Sequence, residues 1–268
     1  MNKHPSSPAR AAIALTVAAF AGVAPFAASA QTDALAKPTI VLVHGAFAES
    51  ASWDGVVRKL QAEHYTVVSV ANPLRGVKSD ALHVASVVDS IHGPVVLVGH
   101  SYGGSVISEA AYGKTNVKSL VFVAAFAPEA GETAAGLSGK FPGGTLGATL
   151  AEPVPLPGGV KDLYIKQDKF PEQFAADVPL PMARLMAAAQ RPIADNALGE
   201  AETEPAWKTI PSYFVYGSAD KNIPAAALAW MAERAHSVKT VVVNGGSHVV
   251  MVSKPDVVAS LIVEAAKR

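Results

Sequence analysis

Residues 94–104 read PVVLVGHSYGG, and the fold turns on them. Pro94–Gly99 is a short, continuous, β-branched apolar run, the pattern of a strand buried on both faces. A helical pattern, Ser105–Tyr112, follows directly. Between them Gly99-His100-Ser101-Tyr102-Gly103 and Gly104 must make a sharp strand-to-helix turn. A serine at the apex of such a turn has strained backbone angles, and small residues two before and two after it avoid clashes. The turn would lift the Ser101 hydroxyl above the sheet edge. The free N–H groups and positive end of the new helix would point at the same spot. Alone, the pentapeptide reads as an ordinary glycine-rich turn; between a strand and a helix it makes Ser101 a candidate nucleophile.

Five more runs of the same kind flank this one: Thr39–His44, Thr66–Ala71, Ser119–Ala125, Ser212–Gly217 and Thr240–Asn244. Helical faces separate them. Trp53, Val56, Val57 and Leu60 fall at i, i+3, i+4 and i+7, and Leu82, Ala85, Val88 and Ile91 repeat a helical spacing. Pro255 suits the first turn of a last helix with Val257, Val258, Leu261, Ile262 and Ala265 on its apolar face. Alternation of this kind predicts an α/β fold, a doubly wound and mostly parallel sheet covered on both sides. It breaks once, over residues 127–210, which hold ten of the nineteen prolines and a helical patch, Met182–Gln190. At about 84 residues that stretch is too long for a plain loop and is expected to form a small helical cap between the fourth and fifth strands. The core would then comprise residues 31–126 and 211–268.

The first thirty residues have a different character. Residues 1–10 carry Lys3 and Arg10 and no acid, residues 11–28 are apolar and alanine-rich, and Ala28-Ser29-Ala30 precedes Gln31. These are the three parts of a secretory signal peptide, with cleavage expected after Ala30 and a periplasmic or secreted product. A retained membrane anchor is the competing reading, but Gly22 and Pro25 interrupt a stretch already short for a span. No membrane association is therefore expected after cleavage. The 268 residues include 22 basic and 22 acidic side chains, and loss of Lys3 and Arg10 would leave a net charge of −2. Such a balance gives no electrostatic footprint for nucleic acid. The chain has no cysteine, which excludes disulfides, thiolate nucleophiles and cysteine-ligated zinc. Neither an H-E-x-x-H pair nor a dinucleotide or P-loop glycine pattern occurs, so neither metal nor cofactor is expected.

A serine hydroxyl is a poor nucleophile until a base takes its proton. Of eight histidines, His4 would leave with the leader, and His64, His83, His92 and His236 lie on or near helix ends. His44 and His100 flank strand ends and read as orienting backbone. His248, in Asn244-Gly245-Gly246-Ser247-His248 after the last strand, falls at the same sheet edge as Ser101 and is the candidate base. Asp220, directly after Ser212–Gly217, gives the chain order Ser, Asp, His; Glu129, after the preceding strand, is its competitor. Asp220 could otherwise serve only as an Asx turn before Pro224. Candidate oxyanion donors are the backbone N–H of Tyr102 and that of Ala46 in His44-Gly45-Ala46-Phe47. Phe47, Trp53, Met182, Met186 and Trp207 are candidate walls of a pocket beneath the cap, although each could equally pack as core.

HGAF, GHSYGG, VFVAAFAPEAG, GSADKNIP and GGSHVVM, in that order and spacing, resemble the α/β-hydrolase superfamily. Within it they are similar to the small capped serine esterases of the methylsalicylate esterase and hydroxynitrile lyase group and their bacterial counterparts. The resemblance spans residues 31–268 and is weakest in the cap. It implies a six-stranded core, a triad of Ser101, Asp220 and His248, and Ala46 and Tyr102 as oxyanion-hole residues. The lyases of that group have threonine where this chain has Gly45, and lysine after the triad histidine where this chain has Val249. Without that lysine nothing evident stabilises a leaving cyanide, so the resemblance implies an esterase. The expected activity is hydrolysis of a small-molecule carboxylic ester through an acyl-enzyme on Ser101. A lactonase, a thioesterase or a cofactor-free perhydrolase of the haloperoxidase-like type would use the same triad. A non-catalytic small-molecule binding protein on this scaffold would be expected to have lost a triad member, and none is missing.

Overall fold

A computed structural model describes residues Lys37–Arg268; the expected leader, residues 1–30, lies outside them. In chain order the strands are β1 (Thr39–Val43), β2 (Val67–Val70), β3 (Val95–His100), β4 (Val117–Val123), β5 (Val154–Pro155), β6 (Lys161–Leu163), β7 (Ile193–Ala194), β8 (Ser212–Gly217) and β9 (Lys239–Val243). Six of them form one sheet in the order β2-β1-β3-β4-β8-β9, and every pairing in it is parallel. Val41, for example, sits between Val68 of β2 and Leu97 of β3. All six residues of β3 are buried, because strands flank it on both sides and helices cover both faces. That is why its sequence is continuously apolar rather than alternating.

The helices are α1 (Asp54–Ala62), α2 (Val77–Asp89), α3 (Gly103–Ala111), α4 (Ala134–Ser138), α5 (Leu146–Thr149), α6 (Phe170–Phe174), α7 (Leu180–Ala189), α8 (Ala225–Arg234), α9 (Val250–Ser253) and α10 (Pro255–Ala265). The chain moves one way across the sheet from β1 to β2, then the other way through β3, β4, β8 and β9. Right-handed crossovers therefore put α1 on the face opposite α2, α3 and α8, and α10 packs beside α1. The reversal falls between β1 and β3. Loops leaving the carboxyl ends of those two strands part in opposite directions and leave a crevice between them.

Two local expectations are corrected. The inward face of α2 is Val77, Ala81, Val84 and Val88, while Leu82 is 71% exposed. The cause is Asp80, buried in the first helical turn, which accepts hydrogen bonds from the Arg75 backbone N–H and the Tyr102 hydroxyl. With Asp80 held inward, Val84 and Val88 follow at i+4 and i+8, and Leu82 is turned outward. The segment between β4 and β8 contains α4 to α7, as a helical cap should, but also a small antiparallel sheet in the order β5-β6-β7. Strands of two or three residues are too short to show alternation in sequence. Within α7 the buried pair is Ala183 and Ala187, and Leu185 is exposed. The Phe47 N–H donates to the Arg191 carbonyl at 2.9 Å, and Arg75 pairs with Asp162 at 2.7 Å, so the cap is tied to core loops on the crevice side.

Candidate active site

Ser101 stands at the end of β3 with φ of +53°, in the left-handed region that non-glycine residues avoid. Such a conformation costs about 1–3 kcal/mol and persists only where the surroundings over-determine it. Here three backbone hydrogen bonds do so. The Ser101 N–H donates to the Val123 carbonyl, and the Ser101 carbonyl accepts from Gly104 and Phe126. Two positions before it, a Cβ on Gly99 would lie 2.5 Å from the Gly103 carbonyl oxygen. Only glycine lets the chain fold back this tightly.

Asp220 follows β8 and is buried. Its Oδ1 accepts from the N–H groups of Asn222 (2.8 Å) and Ile223 (3.0 Å), and its Oδ2 lies 2.7 Å from Nδ1 of His248. The turn role and the partner role expected as alternatives are thus filled at once, one by each oxygen. A carboxylate can only accept, so Nδ1 of His248 carries the proton and Nε2 is left with a lone pair. That Nε2 is buried and has no hydrogen-bond partner among the described residues. The rings of His100 and Phe174 lie 4.8 and 5.1 Å from the His248 ring. Glu129, the competing acid, is paired with Lys208, and Asp220 holds the histidine.

The two remaining motif histidines hold backbone in place. His100 Nε2 donates to the His248 carbonyl at 3.2 Å. Burial, and then the proximity of His248, keep the His100 pKa well below the usual histidine range, so the ring is neutral. His44 Nε2 accepts from the Asn72 N–H at 3.0 Å, which places its proton on Nδ1, facing the Gly45 carbonyl. Its pKa is also lowered, chiefly by burial.

Gly45 packs against the serine turn. A Cβ there would come within 2.7 Å of Ser101 Cβ and 3.1 Å of the Tyr102 nitrogen. The contact sets the next residue, Ala46, beside Ser101 in the lining of one cavity. Neither the Ala46 N–H nor the Tyr102 N–H donates to an acceptor among the described residues. Both residues are buried, and a buried donor without an acceptor is costly, so each N–H is free to meet an acceptor from outside the chain. The Tyr102 side chain does not take part: its hydroxyl donates to Asp80 at 3.0 Å, inside the core.

The cavity at Ser101 measures about 30 Å³ and is lined by Ala46, Phe47, Phe126, Leu146, Asn222 and Ile223, among others. Of the side chains expected as pocket walls, Phe47 alone lines it. Trp53 is fully buried behind the site, edge-on to His100. Trp207 donates its Nε1–H to the Pro128 carbonyl and lies beside Arg234, away from the cavity. Met182 is about half exposed and Met186 partly buried on α7, because that helix turns Ala183 and Ala187 inward. Sequence reasoning missed Asn222, although it lies only two residues beyond Asp220. It also missed Phe126, inside the quoted stretch VFVAAFAPEAG, and Leu146, which no motif marks. Among the described residues there is no cluster of three or more His, Cys, Asp or Glu side chains fit for a metal, and no helix is long and apolar enough to cross a membrane.

A single parallel sheet with its serine turn, acid loop and histidine loop at one edge is the architecture of the α/β hydrolases. A model of the alpha/beta hydrolase family matches residues 40–261, and the chain belongs to that family as a hydrolase. It is 27% identical over 241 residues to an alpha-hydroxynitrile lyase of Arabidopsis thaliana, covering 82% of this chain and 93% of that protein. The fold resembles polyneuridine aldehyde esterase, with a TM-score of 0.73 at 18% identity over 85% of this chain and 99% of that one. It also resembles a pyrethroid hydrolase of Sphingobium faniae, with a TM-score of 0.68 at 23% identity over 86% and 97% of the two chains.

Proposed function

We propose that the protein hydrolyses a small carboxylic ester through an acyl-enzyme on Ser101. The observation that carries this reading is the buried Asp220–His248 pair, with its unpartnered Nε2 at the same sheet edge as the strained Ser101 turn. Ser101 Oγ attacks the ester carbonyl carbon as its proton passes to Nε2. The N–H groups of Ala46 and Tyr102 take up the charge on the carbonyl oxygen. The bond to the alcohol oxygen then breaks, and His248 delivers the proton to that oxygen. Water repeats the sequence on the acyl-enzyme, releasing the acid and restoring Ser101.

Two features favour ester hydrolysis over the lyase chemistry of the Arabidopsis relative. Val249, directly after His248, is fully buried and apolar, so that position offers no cation to a departing anion. The fold neighbours named above are described as an esterase and a hydrolase. The cavity has room for about two water molecules, which suits a short acyl group. The leader-like residues 1–30 support export with cleavage after Ala30. The test is turnover of p-nitrophenyl esters from acetate to dodecanoate, with a γ-lactone and a thioester alongside. Activity on the short esters that Ser101→Ala abolishes is the expected result. Equal activity in the variant would refute the reading.

A further inference from the structure

Asn222 carries one more inference, which rests on the ester-hydrolase reading and extends it to substrate choice. Asn222 is one of three polar residues, with Ser101 and Ser138, that line a cavity otherwise walled by apolar residues such as Phe47, Phe126, Leu146 and Ile223. Which end of an amide faces a cavity decides whether it offers a donor or an acceptor, and here neighbouring groups decide it. The chain of constraint starts in the cap. Gln173 is buried, and its Nε2 donates to the Lys221 carbonyl at 3.0 Å. A backbone carbonyl can only accept, so the orientation of the Gln173 amide is fixed. Its Oε1 accepts from the Thr145 hydroxyl at 2.8 Å, which agrees. The second hydrogen of Nε2 goes to Asn222 Oδ1 at 2.8 Å. Asn222 is thereby held with its oxygen toward Gln173 and its Nδ2 turned away. Nδ2 donates to no acceptor among the described residues.

We propose that Asn222 is a specificity-determining residue. Its Nδ2 donates to an acceptor oxygen on the substrate, so the preferred ester carries an ether, carbonyl or hydroxyl oxygen near its scissile group. The other polar lining side chain besides Ser101 is that of Ser138, whose hydroxyl can donate or accept and so imposes no such choice. Asn222 cannot make the compensating change, because rotating its amide would set its NH2 against the Gln173 NH2. A substrate with a methylene in place of the oxygen would cover Nδ2 without pairing it, which penalises it beyond the loss of one hydrogen bond.

Two matched pairs of esters test this, differing only by oxygen for methylene. Methyl methoxyacetate against methyl butyrate places the oxygen on the acyl side, and 2-methoxyethyl acetate against butyl acetate places it on the alcohol side. The readout is the ratio of kcat/KM within each pair, compared between wild type and Asn222→Leu; the intrinsic reactivities of the esters cancel in that comparison. For one pair, the wild-type preference for the ether should fall about 5- to 10-fold in the variant, and the responding pair tells which side of the ester Asn222 meets. Asn222→Asp keeps the acceptor for Gln173 but presents an acceptor in place of the donor. It should lose the preference in the same pair, so a fold defect peculiar to the leucine variant does not decide the result. Ratios unchanged within twofold in both pairs, whatever the absolute rates, would overturn the role of Asn222 and leave the ester-hydrolase reading intact. No turnover of any of the four esters by wild type would overturn both.

Discussion

His248 Nδ1 lies 2.7 Å from Asp220 Oδ2, with both side chains wholly removed from solvent. The pair fixes which ring nitrogen carries the proton and which is free to accept one. An asparagine at 220 keeps an oxygen for the Asn222 and Ile223 N–H groups, so the loop should hold. Its NH2 would face Nδ1, however, and drive the imidazole to the other tautomer. Asp220→Asn should therefore lower kcat by up to about 10⁴-fold with little change in melting temperature. Glu129→Gln, which alters a surface pair with Lys208, should leave kcat near wild type. Steady-state kinetics of the two variants side by side check both statements.

Gly45 is the position at which a single methyl group should cost most. A Cβ there would lie 2.6 Å from the His100 carbonyl oxygen and 2.7 Å from Ser101 Cβ. Neither backbone nor nucleophile can yield without moving the Ala46 N–H. Gly45→Ala is expected to cut kcat by about 10²-fold or more while KM changes less. An unchanged kcat would show that the Ala46 N–H is not an oxyanion donor.

Glu202 gives the fold a pH dependence separate from catalysis. It is almost wholly buried, beside Glu109 and Ser108. Burial, and then the charge of Glu109, push its pKa from the ordinary 4.5 up to about 9. Glu109 stays ionised: burial acts to raise its pKa, but hydrogen bonds from Thr203 and Glu204 offset this and leave it below the usual value. Between those limits the folded chain holds a proton on Glu202 that the unfolded chain releases. The contribution of Glu202 to stability is therefore fully present below about 4.5 and is lost as pH rises through about 9. Glu202→Gln should melt a few degrees above wild type near pH 9 and much closer to it near pH 5. Thermal melts across that range would show it.

The sheet was legible because each of its strands is a β-branched run of four to seven residues with a helix after it. The turn at Ser101 was legible because its glycines are demanded by close backbone approach, which sequence records directly. The cap was not. Its strands are two or three residues long, and α7 buries alanines while exposing Leu185, the reverse of what hydrophobicity suggests. The cavity wall was lost with it. Trp53 and Trp207 are large and apolar wherever they pack, and only the folded structure shows Trp53 against His100 and Trp207 against Pro128 and Arg234. The orientation of Asn222 depends on Gln173, forty-nine residues away in sequence, and no local pattern encodes it.

The small cavity makes a prediction about chain length. With about 30 Å³ beside Ser101, acetate and propionate esters should show the highest kcat/KM, with a steep decline toward dodecanoate. A maximum at ten or more carbons would mean that the acyl chain lies outside this cavity.

The most direct test of the central claim is to treat the protein with diethyl p-nitrophenyl phosphate and map the adduct by peptide mass spectrometry. The account predicts one diethylphosphoryl group per chain, on Ser101, appearing in step with the loss of p-nitrophenyl acetate turnover and absent from Ser101→Ala. Complete inhibition with the adduct on any other residue, or full turnover with Ser101 modified, would contradict it.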